Sequence, residues 1–69
     1  MNEANRTKAI TAVDAMVRKG EEISGRAKFA QEMLAVNALG DLEFPLEMIR
    51  ESIRSLEFWM TELEQALVK

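Results

Sequence analysis

From Leu46 to Leu67 the apolar residues fall at Leu46, Ile49, Ile53, Leu56, Met60, Leu63 and Leu67, in alternating steps of three and four. That spacing is the a/d seam of an α-helix, unbroken over about three heptads. A seam of this kind cannot face water, so the rest of the chain, or a second copy of it, must cover it. Earlier in the chain Ala9, Val13, Met16, Gly20, Ile23, Ala27, Ala30 and Leu34 hold one frame of the same type. The pattern predicts an all-α protein: a first helix over about 3–39 and a last helix over about 45–68, folded as an antiparallel hairpin in one domain, 1–69.

The boundaries follow from local chemistry. Asn2 or Asn5 can accept from the free N–H groups of the first turn. Gly40 suits the left-handed position that ends a helix, and Pro45 suits the first position of the next, holding Phe44 extended. Leu42 and Phe44 are expected to plug the end of the hairpin. The middle of the first helix is in conflict with itself. Arg18-Lys19-Gly20 reads as a helix end and Glu21-Glu22 as a helix start, while Gly20 and Gly25 each cost about 1 kcal/mol against alanine. Either one helix runs through, roughly 55 Å long, or two helices meet near Gly20–Gly25; the unbroken frame favours one.

The apolar residues exceed what a two-helix hairpin can use. Phe29, Met33 and Val36 lie beside the first seam, Trp59 and Ala66 beside the second, with Met48 and Phe58 elsewhere. A contiguous apolar surface of more than a few hundred Å² marks a partner site. Two hairpins closing into a four-helix bundle would absorb the excess. Leu46, Ile49, Ile53, Leu56, Trp59, Met60, Leu63, Leu67, Phe29, Met33 and Val36 are therefore the expected surface for self-association or a partner. Trp59, the only tryptophan, suits either an interface anchor or a core. Methionines 16, 33, 48 and 60 are read as core fillers.

Length sharpens the point. Sixty-nine residues make one small domain, and chains of this size need disulfides, metals or oligomerisation to be stable. The chain has no Cys and no His, which removes disulfides and argues against zinc. That leaves association, most simply as a homodimer.

Composition excludes most chemistry. Without Cys, His or Tyr, the serines at 24, 52 and 55 have no base beyond carboxylates and lysine. The glycines match no phosphate-binding loop. Glu47/Glu51 and Glu57/Glu64 could be imagined as a carboxylate metal site, but the bundle sites that work this way pair glutamate with histidine. No enzyme activity, cofactor or metal is expected. The apolar runs are too short to cross a membrane, and Met1–Arg6 lacks a signal-peptide core; the chain is read as soluble and cytoplasmic.

Charge separates two functional readings. Residues 1–40 carry six Lys/Arg and five Asp/Glu; residues 41–69 carry three and seven. Glu47, Glu51, Glu57, Glu62 and Glu64 form a candidate acidic partner face on the last helix, and would otherwise serve as solvation. Arg6/Lys8, Arg18/Lys19 and Arg26/Lys28 form a basic edge on the first. The leading expectation is a small non-enzymatic regulator, inhibitor or adaptor: a helical oligomer that occludes or reshapes the surface of a partner protein. The alternative is a nucleic-acid-binding regulator using the basic edge, against which the net charge of −3 argues. No motif ties the chain to a known family.

Overall fold

A computed structural model describes residues 2–68, apart from the side chain of Leu39. Helix α1 (Glu3–Ala35) and helix α2 (Glu43–Leu67) lie side by side, joined through a single 3-10 turn at Leu39–Asp41. The hairpin measures 52 × 14 × 10 Å over its Cα atoms, a rod two helices wide. Among the described residues there is no strand, and no helix is long and apolar enough to cross a membrane.

Asn2 starts α1: its Oδ1 accepts from the Asn5 N–H at 2.8 Å, which satisfies one of the free donors of the first turn. The helix then runs unbroken through Gly20 and Gly25. Adding a Cβ at either glycine would meet nothing within 4 Å. Their cost is therefore one of backbone entropy, too small to break a helix held along its length by a partner.

The first helix stops four residues earlier than the pattern predicts, and Gly40 is not what stops it. Asn37 takes the left-handed conformation, φ 59°. The Ala38 N–H donates to the Met33 carbonyl at 2.8 Å and the Asn37 N–H to Leu34 at 3.0 Å. This is the Schellman arrangement with asparagine, the second-best residue for the position, in place of glycine. The start of α2 also differs. The helix begins at Glu43, so Phe44 is helical rather than extended, and Pro45 sits two residues inside the first position. Proline is tolerated there because donors in a first turn have no intrahelical acceptor. Leu42 does line the hairpin end, but Phe44 is exposed and plugs nothing.

The hairpin's own core is very small. Among the described residues the buried apolar ones are Ala12, Ala15 and Ala66, together with Pro45; Ser52 is the buried polar one. Among the described residues no Leu, Ile, Val, Met, Phe or Trp side chain is fully buried. Side chains of that size normally make the interior of a folded domain.

Candidate interaction surface

The two helices do not meet along the middle of the sequence seam. On α2 the contact line runs through Pro45, Ser52, Trp59 and Ala66, all buried or half-buried. Ile49, Leu56 and Leu63 flank that line and are half-buried. The other half of the seam stands open: Leu46, Ile53, Met60 and Leu67 are between 40% (Ile53) and 57% (Leu67) exposed. Helix α1 repeats the arrangement. Ala9, Met16, Ile23 and Ala30 are half-buried, while Val13, Gly20, Ala27 and Leu34 are exposed.

These open positions share one side of the rod. A step of four residues beyond a contact position turns about 40° around a helix. In two antiparallel helices facing each other, that turn carries both sets to the same flank. At the connection end the flank forms a hollow lined by Ala30, Leu34, Leu42, Leu46 and Ile49, residues of both helices. At the other end Ala9, Ile10 and Val13 continue the apolar lining, with Asp14 at its edge. The result is an apolar face along the hairpin, with large side chains at every turn of α2 and, on α1, Gly20 and Ala27 between larger Ile10, Val13 and Leu34.

The opposite flank carries the polar cross-links between the helices, with exposed Phe29, Phe44 and Phe58 on the same stripes as Glu22 and Glu51. Arg26 lies at a contact position of α1 and reaches across to α2. Its Nη1 donates to the Met48 carbonyl at 2.6 Å and to the Ser52 hydroxyl, so the buried serine has a partner. Its Nη2 pairs with Glu22 at 3.1 Å, and Lys19 pairs with the other oxygen of Glu22 at 2.8 Å. The hydrogen bond from Lys19 holds the Glu22 carboxyl below its ordinary pKa, with the charges of Lys19 and Arg26 acting the same way against partial desolvation. Glu51 and Ser55 line the same hollow. Nearer the chain ends Lys8 pairs with Glu62 at 3.2 Å and donates to Gln65 at 3.4 Å. Such charged partners resist moving into an apolar core, so these cross-links stay toward water.

Trp59 belongs to the hairpin contact line rather than beside it. It is half-buried, between the two cross-links, with Phe58 edge-on to its ring at 5.1 Å and 83°. Ala12 and Ala15 are the buried residues of α1 among those described. Phe29, Met33 and Val36 do not join the open face. Phe29 and Met33 line a separate hollow at the connection end with Gly40, Asp41 and Phe44. Val36 caps α1 and is 74% exposed. Sequence reasoning had no signal for Phe44 in that hollow, because it expected Phe44 to be extended.

The five glutamates do not share one face. Glu62 and Glu51 stand on the polar flank, and Glu47 is tied to Arg50 at 2.6 Å. Glu57 and Glu64, seven residues apart and exposed, border the open apolar face. Among the described residues no three acidic side chains converge as ligands would. The basic edge is divided as well: Arg6, Lys8, Lys19 and Arg26 each hold a carboxylate within 4.0 Å. Comparison with known proteins brings no relative to this geometry: no family model matches the chain, nor does any curated protein or solved structure.

Proposed function

We propose that this protein is a non-enzymatic binding module: a hairpin that associates with a second copy through its open apolar face and, as that assembly, covers or reshapes the surface of another protein. The observation that carries the reading is the hairpin core, three alanines and a proline, set beside exposed Leu46, Ile53, Met60 and Leu67. In a two-helix coil the centre of each apolar arc faces the other helix. Here the arc is turned so that one edge meets the neighbouring helix and the other edge is open. A helix with two packing neighbours, as in a four-helix bundle, has this arrangement.

Size agrees. A face of 52 × 14 Å projects to roughly 700 Å², close to the about 800 Å² per partner of a standard stable interface. With that face occupied, the apolar hollow of Phe29, Met33 and Phe44 still stands open to a partner protein. The ion pairs at Lys8, Lys19 and Arg26 engage half of the basic edge, and the net charge of −3 favours a protein partner over nucleic acid.

Two experiments test the reading. Melting followed by circular dichroism over a hundredfold range of protein concentration should show a midpoint that rises with concentration, as for any fold held by its partner copy. An unchanged midpoint would refute association. Affinity capture from the native host should then be compared between the natural chain and Phe29→Ser/Phe44→Ser. Loss of a captured protein, with association intact, is expected; equal capture would remove the hollow from the account.

A further inference from the structure

We infer that the two copies stack with α1 of each against α2 of the other, about a two-fold axis running along the helices, so that both connections lie at the same end of the assembly. This rests on the self-association proposed above and adds its geometry. Two flat hairpins can meet face to face with two-fold symmetry in two ways. If the axis runs along the rod, α1 lies on the partner's α2. If it runs across the rod, α1 lies on α1, α2 on α2, and the connections fall at opposite ends.

The bulk on the open face decides between them. Helix α1 offers Val13, Gly20, Ala27 and Leu34, small in the middle; α2 offers Leu46, Ile53, Met60 and Leu67 at every turn. Like-on-like stacking would put the Gly20 and Ala27 segments of both copies in one gap and Ile53 and its neighbours of both copies in the other. Interaxial distances run from about 8 Å for small contacts to about 10 Å for large ones. One gap would close while the other was forced wide, and the hairpin, clamped by Arg26 on its far flank, would have to splay. Crossed stacking gives each gap one Gly20 and Ala27 segment and one Ile53 segment, the alternation that fills a core evenly. It also brings Asp41 and Glu43 of the two copies to one end. Both are exposed, and physiological salt screens such charges over about 8 Å, so the packing term outweighs the repulsion.

The absence of cysteine makes the test direct. Gly40→Cys places a single label at the connection, where a Cβ meets nothing within 4 Å; Thr7→Cys places one near the start of α1, on an exposed position. Each variant is spin-labelled, sized, and measured by pulsed dipolar spectroscopy. Crossed stacking predicts a dimer with one short distance, about 20–30 Å, at both positions, the span of a bundle of helices about 8–10 Å apart with the label arms added. A dimer with distances near the rod length of 52 Å would overturn the crossed arrangement and leave self-association standing. A monomer with no dipolar coupling would overturn both; a folded assembly of more than two copies would overturn the crossed dimer and leave self-association standing.

Discussion

Ile53 is the residue whose change separates the hairpin from the assembly most cleanly. It sits at the middle of the open face of α2, 40% exposed, so the hairpin alone makes limited use of it. Burying an isoleucine fully is worth about 1.5–3 kcal/mol, so the part left for a second copy is roughly 0.6–1.2 kcal/mol per chain. Symmetry doubles that term. Ile53→Asp also places a carboxylate in each half of the interface, where an unpaired charge costs several kcal/mol. The sum is a loss of at least about 4 kcal/mol, or roughly a thousandfold in the dissociation constant. Sizing at tens of micromolar should show Ile53→Asp at the mass of one chain, with less helicity than the natural protein. Arg54→Asp is the control: it is the next residue, exposed, and points away from the face, so its mass should be that of the natural assembly. An Ile53→Asp variant with unchanged mass and helicity would refute the reasoning.

Four further outcomes follow from the geometry. Gly25→Ala should raise stability to urea by about 1 kcal/mol, since nothing stands within 4 Å of the new Cβ. Gly20→Leu meets the same empty space within the hairpin but adds bulk to the open face, and should weaken association by about 1–3 kcal/mol, read as a rightward shift of the sizing titration. Asn37→Ala should destabilise by about 1–2 kcal/mol at φ 59°, whereas Asn37→Gly should be neutral or stabilising in the same urea experiment. Because the Glu22 pKa is held below its ordinary value of 4.5, its contribution is present above about pH 4.5 and is lost as pH falls through the lowered value. The melting midpoint of the natural protein should therefore fall below that pH more steeply than that of Glu22→Gln.

Much of this architecture is legible in the residue pattern. The 3.6 periodicity is strong in the last helix and weaker but unbroken in the first, and it identified two helices and carried the first through Gly20 and Gly25, where local propensity alone suggests a break. Periodicity does not say which edge of an apolar arc meets which neighbour. The frame of Leu46 to Leu67 is real, but only one edge of it meets α1 and the other edge stands open. The residues of the polar cross-link, Lys19 and Arg26 opposite Ser52, read in the sequence as solvated polar positions. No one-dimensional pattern reveals that an arginine reaches a carbonyl on another helix. The two helix ends at the connection were missed for a different reason. Gly40 and Pro45 are the stronger punctuation, yet Asn37 had already stopped the helix, and a first turn accommodates proline at its third position. Phe29, Met33 and Phe44 could have been grouped only once that connection was known.

The central claim is that the hairpin leaves apolar surface which only a second copy covers, and sedimentation equilibrium of the natural protein at micromolar concentration tests it most directly. The account predicts a folded, helical species of twice the 7.8 kDa chain mass. A fully helical species of 7.8 kDa, cooperative in its melting at every concentration, would contradict it.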